Sequence, residues 1–253
     1  MTISEIKQLL LSVKKPTDPR LAQLAQDPRK GVQVAVRATQ KRLANQSARL
    51  AAFEQRFKYE RQFWQRGLQY VAGVDEVGRG PLAGPVVACA AILPPDFDLI
   101  DVNDSKQLTR KAREKLYPLI KQEALSLGVG VVDNQQIDQL NIYEATRVAM
   151  KQAVAKLIPQ PNEIIVDAMQ IDTPIHQTRL IKGDAKSISV SAASIIAKVY
   201  RDHLMTDFSR QYPEYDFEHN AGYGTAKHLA ALKKFGPTPI HRMSFAPVQK
   251  NSR

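Results

Sequence analysis

The sequence has a single cysteine, Cys89, in 253 residues. One thiol excludes an intramolecular disulfide framework and any cysteine-based zinc cluster. Its place in an apolar run predicts a buried side chain, and a reducing cytoplasm is the simplest home for it. No charge-free apolar run reaches the ~18 residues of a membrane span. The first residues carry Glu5 and no small-residue cleavage site, so they do not read as a secretory signal. Internal repeats and low-complexity tracts are lacking. The histidines His176, His203, His219, His228 and His241 show no metal-type spacing, and most are expected on the surface.

Acidic residues are scarce at one end only. Residues 1–68 hold 14 Lys/Arg against 5 Asp/Glu, whereas the rest holds 22 against 20. Most of the net charge of +11 therefore sits in the first quarter of the chain. A basic segment beside a near-neutral body points to a nucleic-acid-facing arm, although a solubilising surface has the same composition. With 43% hydrophobic residues, the chain can build one sizeable domain plus an extension.

Residues 1–68 read as a small helical extension of two or three helices. They lack alternating β-branched runs, and residues 32–63 space their apolar side chains at helical intervals. At Tyr70 the texture changes. "YVAGVDEVGRGPLAGPVVACAAIL" (70–93) reads as two strands around a glycine-rich turn, an antiparallel hairpin. A helix capped by Thr109 and stopped by Gly128 follows, then a third strand near 127–133. A helix capped by Asn141 comes next, with Pro159 after it. Further strands are expected to end on Asp167 and on Asp184. A long central helix covers 189–212, and a late helix ends at Gly236-Pro237. Strands that then alternate with helices predict an α/β domain with a mixed sheet over 69–253, ending in a helical part.

Asp75-Glu76, Asp167 and Asp184 each fall at or near a predicted strand end, where sites assemble in open α/β sheets. Converging carboxylates repel one another and raise each other's pKa unless a cation neutralises them. An all-oxygen set of this kind suits Mg2+ or Mn2+. A strand-end aspartate is also a common turn or cap residue, and that reading stays open for Asp167 and Asp184 taken singly. Adjacent residues on a regular strand point to opposite faces, so a site shared by Asp75 and Glu76 requires the strand to end or bend at Asp75. The glycines flanking Arg79 let backbone approach a ligand, and Tyr223 in "AGYGT" (221–225) is placed to stack on a sugar or base or to anchor its loop.

Together with "DSKQLT" (104–109), "IIVDAM" (164–169), "KGDAKSISVSAASIIAKVYRD" (182–202) and "HRMSFAPV" (241–248), these motifs resemble the ribonuclease HII, or type 2 ribonuclease H, family. The resemblance spans about 70–248. It implies a ribonuclease H-like fold, with a five-stranded mixed sheet flanked by helices. It implies that Asp75, Glu76, Asp167 and Asp184 hold two divalent ions, Mn2+ or Mg2+. One ion would lie at Asp75, Asp167 and Asp184, the other at Asp75 and Glu76. Gly78, Arg79 and Gly80 match a turn that reads a ribose 2′-hydroxyl, and Tyr223 matches a tyrosine that stacks on the deoxyribose at an RNA–DNA junction. Lys182, Ser191 and Lys198 are candidate supporting residues, whereas Asp202 reads as structural.

The implied activity is an endonuclease acting in the cytoplasm as a monomer. It would hydrolyse the RNA strand of RNA–DNA hybrids and cut at single ribonucleotides in duplex DNA, leaving 3′-hydroxyl and 5′-phosphate ends. One departure stands out: the family often reads Asp-Gly after the third carboxylate, and Ala168 stands here. Ribonuclease HIII is similar in fold but lacks the arginine of the turn and the tyrosine, and its N-terminal platform is β-rich. A non-catalytic binder would have no need of four acids. An integrase or resolvase would have no need of a 2′-hydroxyl sensor.

Overall fold

A computed structural model describes residues 1–251. It divides into two compact units, Met1–Gln55 and the residues from Arg56 onward.

The first unit is helical: α1 (Ile3–Leu11), α2 (Pro19–Ala25) and nearly all of α3 (Lys30–Arg56). Thr2 and Glu5 close a capping box on α1, and Asp18 caps α2 ahead of Pro19. Ile6, Leu10, Val13, Leu21, Val32, Val36 and Leu43 form its own core. Arg42 donates to the carbonyls of Leu10 and Val13, which closes the C-terminal end of α1.

The second unit opens with α4 (Lys58–Gln65) and then holds the sheet. The strands are β1 (Val71–Val77), β2 (Val86–Ile92), β3 (Ser126–Val132), β4 (Glu163–Asp167) and β5 (Gln177–Leu180), in the order β3-β2-β1-β4-β5. β1, β2 and β3 pair antiparallel, while β4 runs parallel to β1 and β5 parallel to β4. The helices are α5 (Arg110–Glu123), α6 (Asn134–Leu140), α7 (Ile142–Ala155), α8 (Gly183–Lys186), α9 (Ile188–Gln211), α10 (Phe217–Asn220), α11 (Ala226–Phe235) and α12 (Ala246–Gln249).

The sheet lies between α7 on one face and α9 on the other. Alternation along β1 sends Ala72 and Val74 into the α7 core and Val71 into the cluster with Val190 of α9. The approach on both sides is set by glycine. A Cβ on Gly73 would overlap the Ser189–Val190 backbone, and one on Gly128 or Gly130 would overlap the carbonyls of Ala153 or Ala149. Gly128 is therefore not the stop of the preceding helix. That helix ends at Glu123 with Ala124 as its cap, and Gly128 lies within β3.

The units divide at Gln55, before the change of texture at Tyr70, because α4 is fixed to the sheet-bearing unit. Glu60 Oε1 accepts from the Ser187 hydroxyl (2.5 Å), the Ser189 hydroxyl (2.6 Å) and the Ser189 amide (3.1 Å) at the start of α9. Burial raises the Glu60 carboxyl above its usual range, and these three donors oppose the shift.

Candidate active site

Val74 pairs with Val166 in the parallel ladder, so Asp75 and Asp167 are the next positions on neighbouring strands. Asp75 is buried, 4% exposed, and Asp167 is half-buried. Burial pushes the Asp75 carboxyl well above its usual range, and the fields of Glu76 and Asp167 push it the same way; a hydrogen bond from Ser194 opposes them. Glu76 is raised mainly by burial. Arg79 opposes this rise, and Asp167 adds to it. Three acids thus converge on one end of the sheet at an electrostatic cost.

Strand β1 does not end or bend at Asp75. It continues in register with β2, Asp75 opposite Cys89, Glu76 opposite Ala88 and Val77 opposite Val87. Only the β4 side of the ladder stops, after Val74. The Asp75 side chain folds along the chain, where its Oδ1 accepts from the Glu76 amide at 2.8 Å. Glu76 leaves from the next position of an unbroken pleat and reaches Arg79 at 3.4 Å. The two acids therefore share a field rather than a point, and the expected bend is corrected.

Asp184 does not end a strand either. β5 closes at Leu180, Lys182 turns the chain through a left-handed conformation (φ 59°), and Asp184 sits in the first turn of α8. Its Oδ2 receives the Lys106 ammonium at 2.7 Å, and Ser191 Oγ donates to its backbone carbonyl at 2.6 Å. Burial alone would lower Lys106; its hydrogen bond to Asp184 and the fields of Asp184 and Asp75 outweigh this and hold its pKa raised. The Gly183 amide donates to Asp167 Oδ1 at 2.9 Å, tying α8 to the end of β4. Ala168 takes the positive φ (49°) that an unhindered glycine adopts more readily, which gives the departure at this position a small conformational cost.

Among the described residues, no group of three or more His, Cys, Asp and Glu side chains is arranged to hold a metal ion. The chemistry of the acids nonetheless fits a hard cation: all donors are carboxylate oxygens, and Asp75 is buried among like charges. Protein cations take up part of the charge, Lys106 on Asp184 and Arg79 on Glu76.

The supporting candidates separate. Ser191 is buried and bonded to the Asp184 and Ser187 carbonyls. Lys182 is exposed. Lys198 pairs with Asp202 at 2.6 Å, and Arg113 lies 3.8 Å from the same carboxylate, which ties Asp202 into an ion-pair network.

The second motif lies beside the acids. Gly78 takes φ 92°, and a Cβ on it would overlap the Arg201 side chain. A Cβ on Gly80 would stand 3.3 Å from Cε1 of Tyr223, so the 78–80 turn and the half-exposed Tyr223 ring are neighbours. Two fully buried arginines hold this corner. Arg242 donates to the carbonyls of Gly78 (2.5 Å), Arg79 (2.9 Å) and Gly84 (2.9 Å). Arg201 donates to those of Pro85 (2.9 Å), Ala83 (3.1 Å) and Ala221 (2.8 Å). Burial pushes Arg201 down to about 10 and, with the help of Arg201, Arg242 down to about 9. Peptide C=O and N–H bonds point oppositely, so carbonyls turned in to Arg242 turn the Arg79 and Gly80 amides outward.

The motifs alone give no role to Arg201, Arg242 or Lys106, although all three lie inside them. A lone basic residue reads as surface until the fold shows what encloses it. Two histidines lie away from the surface position expected of most of them: His228 and His241 are buried, with 2.9 Å between their Nε2 atoms. His176, His203 and His219 are exposed rings that pair with Glu163, Glu114 and Asp216, of which Glu163 is itself buried.

Burial, then the neighbouring His228, pushes His241 down to about 4 from 6.5. Between those values the unfolded chain binds a proton that the folded one refuses, so stability is lost as pH falls from 6.5 towards 4. The stability advantage of the wild type over His241→Gln is expected to shrink by roughly 2 kcal/mol between pH 7 and pH 5. Calorimetry at the two pH values checks this, and an advantage that grows on acidification overturns it.

Comparison with known proteins gives the family. The Ribonuclease HII family profile matches residues 72–248, and the Ribonuclease HII N-terminal domain profile matches 2–64. The chain is 57% identical to ribonuclease HII of Ligilactobacillus salivarius, over 99% of this chain and 97% of that one. It is 58% identical to ribonuclease HII of Levilactobacillus brevis, over 98% and 96%. The crystal structure of ribonuclease H2 from Pyrococcus horikoshii superposes with a TM-score of 0.63 at 30% identity, covering 72% of this chain and 97% of that one. The chain belongs to the ribonuclease HII family and is an endoribonuclease.

Proposed function

We propose that this protein hydrolyses the RNA strand of RNA–DNA hybrids and also cuts at single ribonucleotides embedded in duplex DNA. The observation that carries the reading is the adjacency of two devices. Asp75 and Asp167 lie side by side at the end of parallel strands, and the 78–80 turn and Tyr223 pack together at the same corner.

Asp75, Glu76, Asp167 and Asp184 would hold Mg2+ or Mn2+, with one ion towards Asp167 and Asp184 and the other towards Glu76. Bound there, two divalent ions supply a lowered pKa for the attacking water and charge neutralisation at the departing 3′-oxygen. The residues do the rest. Asp75, whose Oδ1 accepts from the Glu76 amide, would be the ligand common to both ions. Lys106 and Arg79 neutralise Asp184 and Glu76 until cations replace them. The outward Arg79 and Gly80 amides meet the ribose 2′-hydroxyl, a group that DNA lacks. Tyr223 stacks on the neighbouring deoxyribose. The products carry 3′-hydroxyl and 5′-phosphate ends. The buried single thiol suits a reducing cytoplasm, no helix among the described residues is long and apolar enough to cross a membrane, and the chain acts as a monomer.

The deciding experiment offers duplexes with one embedded ribonucleotide, a continuous hybrid and an all-DNA control, with Mg2+, Mn2+ or chelator. Cleavage confined to ribonucleotide-containing duplexes and lost with chelator is expected. Equal cutting of all-DNA duplex, or indifference to chelator, overturns the reading.

The basic first unit adds duplex affinity through its charge on the phosphates. Replacing the exposed Lys14, Lys15, Lys30, Arg37 and Lys41 by Gln in the full chain is expected to weaken binding and flatten its salt dependence. The log–log slope should fall by about 0.9 for each phosphate that is no longer neutralised. Fluorescence anisotropy across a salt series measures both, and an unchanged slope removes the arm from substrate binding.

A further inference from the structure

Behind Tyr223 lies a chain of hydrogen bonds that admits one proton arrangement. His241 Nδ1 lies 2.8 Å from the Thr238 amide nitrogen. A backbone N–H can only donate, so this Nδ1 is bare and neutral His241 carries its proton on Nε2. That proton faces His228 Nε2 at 2.9 Å, which must accept it. His228 then carries its proton on Nδ1 and donates to the Tyr223 carbonyl at 2.9 Å.

The surroundings keep both rings uncharged. Tyr215 and Phe217 enclose them, with ring centroids 5.1 to 6.0 Å from the imidazoles, and burial lowers both histidine pKa values.

Tyr223 needs such a support. Its ring is 48% exposed beside Gly80, so packing does little to place it, and its backbone must. The Tyr223 amide donates to Asn220 (2.9 Å), and its carbonyl accepts from the Thr225 amide (2.8 Å) and from His228. His241 also bridges Ala83 and precedes Arg242, which holds the 78–80 turn. The same segment therefore anchors both walls of the corner.

We infer that His228 and His241 are positioning residues that fix the Tyr223 backbone through the His228 Nδ1–H bond, and so set how strongly the enzyme prefers an embedded ribonucleotide over a continuous hybrid. The inference rests on the stacking role proposed for Tyr223, and the test separates the two.

His228→Asn puts an amide donor where Nδ1 stood and gives up the bond to His241. His228→Gln reaches His241 and gives up the bond to Tyr223. The readout is the ratio of kcat/KM on a duplex with one embedded ribonucleotide to that on a continuous RNA–DNA hybrid. His228→Gln is expected to lower this ratio roughly tenfold, and His228→Asn to keep it within about twofold. The His228→Gln effect should vanish in a Tyr223→Ala background.

If Tyr223→Ala leaves the ratio at the wild-type value, the stacking role falls and the inference with it. If Tyr223→Ala lowers the ratio while His228→Gln does not, or if Asn and Gln act alike, the positioning role alone falls. Should either His228 variant fail to fold, 15N chemical shifts of the wild-type imidazoles decide. Protons on His228 Nδ1 and His241 Nε2 support the chain, and the opposite tautomers overturn it.

Discussion

Asp75→Asn is expected to reduce turnover by on the order of 10^3-fold or more while raising the melting temperature of the metal-free protein. The two effects have one cause. Asp75 is buried, and its carboxyl is pushed well up by that burial and by Glu76 and Asp167. An ionised group with a raised folded-state pKa works against folding above its unfolded value, so the wild type loses stability as pH rises past the usual carboxylate range. Asparagine keeps the shape and can still accept from the Glu76 amide and the Ser194 hydroxyl, but it carries no charge. The gain is expected near 2–4 °C, the shift that ~1 kcal/mol produces in a chain of this size. On the proposed reading, the neighbouring acids would hold a divalent cation less well without that charge, and the several kcal/mol such an ion would supply at the reacting oxygens would be lost. Single-turnover cleavage and calorimetry in chelator give the two numbers. An inactive variant that is also less stable points to misfolding instead, and one with normal turnover removes Asp75 from the reaction.

The opposed signs explain what was legible in the sequence. Apolar alternation, caps and breakers located β1, β2, β4, α7, α9 and α11, because each carries a local signal, such as Asn141 at the start of α7 and Gly236 after α11. The Ser187 cap of α9 went unread. The adjacent acids of "VDEV" were conspicuous because charge inside a core strand is costly. Two readings failed where a local pattern was outvoted by tertiary contact. "TRLIKGD" looks like a strand to its end, but the αL turn at Lys182 redirects Asp184 into α8, where Lys106 from a distant segment meets it. Gly128 looks like a helix stop, but it is a close-approach glycine under α7.

Other features had no local signal at all. The register that sets Asp75 beside Asp167 depends on which strands pair, and a sequence motif does not carry that. The β1 pleat persists through Val77 because β2 continues to pair with it after β4 has stopped, so continuity on one side outweighs the turn glycines downstream. The histidine pair requires residues 13 positions apart to meet inside an aromatic cage, and singly each has the composition of a surface residue.

Arg242→Met is expected to cost about 3 kcal/mol and to lower cleavage at an embedded ribonucleotide by roughly 10^2-fold. A buried guanidinium without a carboxylate partner is an expensive choice, as its depressed pKa of about 9 records. The fold tolerates it because one planar fork satisfies three carbonyls at once, those of Gly78, Arg79 and Gly84. Methionine fills the volume and removes the buried charge, which is favourable, but it strands the buried Gly78 and Gly84 acceptors, each worth about 1–3 kcal/mol, and the part-buried Arg79 carbonyl, so the net sign is loss. The same carbonyls set the peptide planes of the 78–80 turn. Once they are released, the Arg79 and Gly80 amides no longer hold a fixed outward direction, and a misplacement of about 1 Å accounts for the fall in rate. Arg242→Lys restores the charge but offers a single compact donor head that cannot span three acceptors, and it should recover less than half of the lost stability. Because the acids sit on β1, β4 and α8 and bond none of these guanidinium donors, chelator-sensitive residual cleavage should persist in both variants. If Arg242→Met melts within about 2 °C of wild type and cuts normally, the turn is held by its glycines alone and the arginine is dispensable.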